Sequence, residues 1–147
     1  MKRHPALHPL SQHHHFALIQ ALEMRRAAQA PSAGRAAALR QAAQKFLRSW
    51  KKIGQQHFRE EEEVLLPAYA RHTHLDRDAA VIRMLAEHAE IRARISQLEE
   101  LLDASSKVAR AIKEHVAALA RLLHDHVRLE ENEIFPSVEK ALGEADL

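Results

Sequence analysis

The chain has 147 residues, a formal net charge of +2 with both signs interspersed, and no cysteine. That length suits a single domain, 1–147, large enough to bury a core. The charge balance offers no electrostatic footing for nucleic acid or an anionic membrane, and the missing thiols exclude disulfides, iron–sulfur clusters and thiolate metal sites within the chain.

Only three glycines and five prolines occur, too little turn material for a many-stranded sheet, and the abundant alanine, leucine, glutamate and arginine favour an all-α fold. No apolar run after Met1-Lys2-Arg3-His4-Pro5 is long enough for a signal peptide or a membrane span, so a soluble, cytoplasmic protein is expected.

The first predicted helix runs from about Leu10 to Ala30 and ends at Pro31-Ser32-Ala33-Gly34. The second runs from about Arg35 to Arg71, the third from an N-cap at Asp76 to about Asp103, and the fourth from Ser105 or Ser106 to near Gly143. Pro67 and Pro136 are expected to kink or break their helices, because each removes a donor and crowds the preceding turn.

Apolar positions follow three-four spacing in all four helices. The first reads Leu10, His14, Ala17 or Leu18, Ala21; the second Leu39, Ala43, Phe46, Trp50, Ile53, His57, Val64, with Glu60 or Glu61 between the last two. The third reads Val81, Met84, His88, Ile91, Ile95, Leu98, Leu102, and the fourth Val108, Ile112, His115, Leu119, Leu122, His126, Leu129. Four such helices with short connections predict an antiparallel up-down-up-down four-helix bundle. Histidine interrupts every stripe. Folding the chain at its turns brings His14, His57, His88 and His126 to one layer within about one helical turn, at roughly 1.5 Å rise per residue.

The second and fourth helices share a longer pattern. His57-Phe58-Arg59-Glu60-Glu61-Glu62-Glu63-Val64-Leu65-Leu66-Pro67 matches His126-Val127-Arg128-Leu129-Glu130-Glu131-Asn132-Glu133-Ile134-Phe135-Pro136, sixty-nine residues on, while His14 and His88 stand seventy-four apart. The chain therefore reads as two helical hairpins, each with one lone histidine and one His-x-x-x-Glu. Residues four apart share a helix face, so His57 with Glu61 and His126 with Glu130 can serve one centre. A single such pair is ordinarily a surface ion pair. Two copies on apolar stripes, level with two more histidines, point to a buried metal site of His14, His57, Glu61, His88, His126 and Glu130. Imidazole and carboxylate without sulfur suit iron, manganese or zinc better than soft ions, and glutamates on opposite helices can each bridge two ions.

The twelve histidines are scattered, which argues against an affinity tag. His13 and His15 flank His14 and are alternatives to it. His115 reads as a core or cavity residue, and His72 and His74 as solvated turn residues. Glu60, Glu62 and Glu63 read as a solvated face, with Glu60 a possible extra ligand. Gly54 costs about 1 kcal/mol against alanine within a helix, and suggests a close approach or bulge near His57.

These motifs resemble the hemerythrin-like (HHE cation-binding) domain over nearly the whole chain: His8 through Leu18, His57 through Pro67, Glu87-His88, and His126 through Pro136. The resemblance implies a carboxylate-bridged di-iron centre with a position open to dioxygen or nitric oxide, and roles in oxygen handling, oxidative or nitrosative stress, or iron sensing. Two departures point away from reversible oxygen carriage: Arg92 stands where oxygen carriers have a second histidine on the third helix, and Glu130 lies four rather than five residues after His126. The expected function is a non-haem di-iron protein that binds or senses oxygen, nitric oxide or iron. A di-iron enzyme of oxygen or peroxide reduction or of iron delivery for cluster repair, and a redox-silent metal-binding bundle, are the alternatives.

Overall fold

A computed structural model describes residues 3–103 and 109–146, without the side chains of residues 109 and 144–146. Every regular element among the described residues is helical. After a short 3₁₀ turn at Pro5–Leu7, α1 spans His8–Ala28, with Pro9 in its first turn, where a missing N–H costs nothing, and Arg25 and Arg26 in its last, where cations suit the helix dipole. Gly34, at φ 82°, supplies the left-handed residue that the reversal into α2 (32–70) requires. A second 3₁₀ turn at Leu75–Arg77 precedes α3 (Ala79–Asp103), and α4 covers 109–146. Gly143, at φ 65°, breaks α4's helical run close to its expected end. The serines expected to cap this helix lie outside the described residues.

The cap of α3 is Asp78, not Asp76. The 3₁₀ turn carries the chain two residues further, and Asp78, in extended conformation, accepts the N–H of Val81 on its carboxylate at 3.1 Å and that of Ile82 on its carbonyl at 3.0 Å. The Tyr69 hydroxyl donates to the same carboxylate at 3.3 Å, tying the end of α2 to the start of α3.

Neither proline ends its helix. The turns just before them, Glu61–Leu65 in α2 and Glu130–Ile134 in α4, widen to π geometry, closed by Leu66 N–H to the Glu61 carbonyl and Phe135 N–H to the Glu130 carbonyl. A wider turn draws the preceding carbonyls away from the proline ring, so the helix absorbs the clash. It also offsets the face that follows. Val64, expected on the buried stripe, is 67% exposed, while Leu65 and Leu66 take its place in the core. A third π turn, Trp50–Gly54, lets the Trp50 ring lie over Gly54, where an added Cβ would collide with a ring carbon. In α4 the buried stripe runs through Ile112, Val116, Leu119 and Leu123, leaving His115 and Leu122 at its margin.

Each helix packs on its sequence neighbour, and α1 also lies along α4, which closes the bundle. The apolar interior falls into two clusters. One includes Met24, Ala43, Phe46, Ile95, Leu98 and Leu119, and the other Leu10, Leu65, Tyr69, Met84, Phe135 and Val138. His14 and His88 lie between the two along their helices, and His57 with Glu61 and His126 with Glu130 stand at the boundary, beside Phe58 of the first cluster and Leu129 of the second. No helix among the described residues is long and apolar enough to cross a membrane.

Candidate metal centre

His14 comes from α1, His57 and Glu61 from α2, His88 from α3, and His126 and Glu130 from α4; all six are buried, with Glu61, His88 and Glu130 fully so. The structure brings all six together. Their donor atoms form two tetrads, His14-His57-Glu61-Glu130 and Glu61-His88-His126-Glu130, with the atoms of each tetrad within 4.8 Å of one another. Ligands about 2 Å from a common ion lie up to roughly 4 Å apart, so each tetrad is little wider than a coordination shell.

Every histidine turns Nε2 inward. Glu61 presents one oxygen 3.3 Å from His57 Nε2 and the other 3.2 Å from His88 Nε2. Glu130 presents Oε1 2.6 Å from His14 Nε2 and Oε2 3.1 Å from His126 Nε2. Each carboxylate thus gives one oxygen to each histidine pair.

The electrostatics are strained without a cation. Burial, then the Glu130 charge, push the Glu61 carboxyl well above its usual range. Burial also acts to raise Glu130, but the charge of the facing His126, with the ring nitrogens of His14 and His57 also close by, holds it well below. Burial works against a charged His126 as well, yet the Glu130 and Glu87 carboxylates raise it to about 9. Burial keeps His57 below its ordinary value. Both Glu61 oxygens and His126 Nε2 are buried with no hydrogen-bond partner, although ring nitrogens and oxygens stand close by. Such atoms are costly to bury unless something else satisfies them. Convergent oxygens and imidazole nitrogens fit a hard or borderline cation.

The sequence matches the hemerythrin HHE cation binding domain family over residues 6–138. The chain belongs to that family. No curated protein and no solved structure matches it significantly.

Around the centre of this hemerythrin-family domain, each outward Nδ1 also has a partner. His14 pairs with Glu131 at 3.1 Å, His88 with Glu62 at 2.7 Å, His126 with Glu87 at 2.9 Å, and His57 with His13 at 3.0 Å. Such contacts select the tautomer that leaves Nε2 free to face inward. Glu62 is therefore not part of a solvated face. It is half-buried, and Arg92 grips both its oxygens at 2.7 and 2.8 Å, so the residue at the departed family position serves the outer shell. Arg3 donates to one carboxylate oxygen of Glu131 at 2.7 Å and to its backbone carbonyl at 2.8 Å. Burial acts to raise Glu131, but His14, Ser11 and Arg3 bring it down to about 2.

The sequence pattern places Glu131 and Glu87 within motifs without assigning them a role, and sets Glu62 on a solvated face. The repeat itself carried the missing signal, since Glu62 and Glu131 occupy matching places in it. Of the remaining histidines, His15, His72 and His74 are exposed, and half-buried His115 lies at the stripe margin. Aromatic rings wall the centre: Phe58 stacks on His88 with centroids 3.8 Å apart, and Phe135 on His14 at 5.2 Å. A small cavity of about 60 Å³, mostly apolar, borders His14 and His57 and reaches out past Phe16 and Trp50.

Proposed function

We propose that this HHE domain is a non-haem di-iron protein that binds or senses a diatomic gas. One observation carries the reading: Glu61 and Glu130 each belong to both tetrads and aim one oxygen at each. A single-metal site needs no such division. His14 and His57 would hold one ion, His88 and His126 the other, with Glu61 and Glu130 bridging. Iron would supply redox change and, because four side-chain donors fall short of six-coordination, a position open to a small ligand. The cavity beside His14 and His57 supports a diatomic, being far smaller than the roughly 300 Å³ and upward of pockets that enclose larger ligands.

The up-down-up-down arrangement is part of the same reading. Cross-helix partners support it by running in opposite directions: Glu23 with Lys45 then His13 with His57, Arg40 with the Leu102 carbonyl then Glu62 with Arg92.

The test is anaerobic reconstitution of metal-free protein with ferrous iron. About two iron per chain should bind, oxygen should oxidise them with new near-ultraviolet absorption, and nitric oxide should change the ferrous spectrum. One redox-silent zinc per chain, with iron unable to compete, would refute the di-iron reading.

A further inference from the structure

The four outer partners are not alike. Aligning the repeat by its lone histidines, His14 with His88, also aligns His13 with Glu87. Each of these residues meets the outward nitrogen of the histidine on the next helix, His13 that of His57 at 3.0 Å and Glu87 that of His126 at 2.9 Å. In one half that partner is a carboxylate, which an arginine also engages, Arg83 at 3.1 Å. In the other it is an imidazole, which brings no anionic oxygen. His88 and His126 are thus both backed by carboxylates, Glu62 and Glu87, whereas His14 and His57 share one carboxylate, Glu131, and one imidazole.

A carboxylate behind a ligating histidine increases its basicity and fixes its ring, and removing such a partner typically weakens metal binding roughly ten- to a hundredfold. We propose that the two metal positions are inequivalent, the His88–His126 position filling first and more tightly, with His13 the positioning residue that leaves the His14–His57 position the weaker and more exchangeable. This rests on the two-metal reading above.

Calorimetric titration of metal-free protein with cobalt(II) tests it. The wild type should bind two ions in two steps that differ by roughly tenfold to a hundredfold. His13→Glu should tighten the second step toward the first, and Glu87→Gln should loosen the first toward the second; if His13→Glu fails to fold, Glu87→Gln decides. His57→Ala should abolish the weak step and keep the tight one, and His126→Ala should abolish the tight one. Two ions bound with equal affinity, or steps that neither outer substitution moves, would overturn the inequivalence alone. Fewer than two ions on the wild type would overturn the two-metal reading itself.

Discussion

Glu61 offers a test in which one substitution has opposite consequences with and without metal. Its carboxyl is fully buried and neither oxygen has a hydrogen bond. Burial and the neighbouring Glu130 favour its protonated form, which glutamine copies in shape. Glu61→Gln should therefore leave metal-free stability within about 1 kcal/mol of wild type. Each ion present at a hundredfold excess over its dissociation constant adds about 2.7 kcal/mol, or about 5 kcal/mol for two. At roughly 2–4 °C per kcal/mol for a chain of this size, the wild type should gain roughly 10–20 °C on loading. The variant, lacking one bridge, should gain less than half of that. A carboxyl whose folded value is raised contributes stability that is complete below its unfolded value of about 4.5 and is lost as pH rises toward the folded one. Metal-free wild type should accordingly lose more stability than the variant as pH rises above about 4.5. Circular dichroism melts of both proteins, with iron and with chelator, read all three effects. A variant that keeps the whole metal-dependent rise would refute the bridging role. A metal-free variant weakened by more than about 3 kcal/mol would show Glu61 to be a structural anion instead.

Val64→Ala should cost less than about 0.5 kcal/mol and Leu65→Ala about 2–5 kcal/mol in urea unfolding, the order set by the π turn rather than by regular helical spacing. Gly54→Ala, which helix propensity alone would favour, should destabilise by about 1–3 kcal/mol and shift the fluorescence of Trp50, the sole tryptophan, because the new Cβ meets its ring. Glu131, held down to about 2, contributes stability above about 4.5 that disappears as pH falls through its folded value. Glu131→Gln should therefore flatten the acid limb of the metal-free stability profile between those values. Asp78→Ala should cost about 1 kcal/mol and Asp76→Ala close to nothing in thermal unfolding, since only Asp78 caps α3.

The helices and the polar layer were legible because burial leaves a periodic trace. Leu39, Ala43, Phe46 and Trp50, or Val81, Met84, His88 and Ile91, recur every three or four residues, and histidine in such a stripe is conspicuous. Regular spacing fails where the turn itself changes. Val64 was misplaced because proline's known cost to a helix does not say whether the chain will break or widen. Glu62 and Glu131 were hidden differently. Each sits about 100° round the helix from its inward neighbour, where a carboxylate is ordinarily solvated, and only the arrival of Arg92 with His88, or Arg3 with His14, gives it a buried task. Such convergence depends on side chains far apart in the sequence, and its one trace there is a glutamate recurring five residues after each motif histidine. Asp76 and Asp78 are equal candidates for a cap until the 3₁₀ turn between α2 and α3 is seen.

The polar layer also divides the apolar interior into two compartments. Repacking around Met24, Ile95 and Leu98 meets, within a few turns, a stratum whose ten interlocked side chains fit together in one arrangement. Changes around Tyr69, Met84 and Val138 meet the same stratum from the other side. Substitutions in different compartments should then combine additively, whereas those within one compartment compensate or conflict. Each end of such a bundle can drift in sequence without the consent of the other, so the two ends are free to acquire different loops, partners or rigidity around a centre that neither needs to alter.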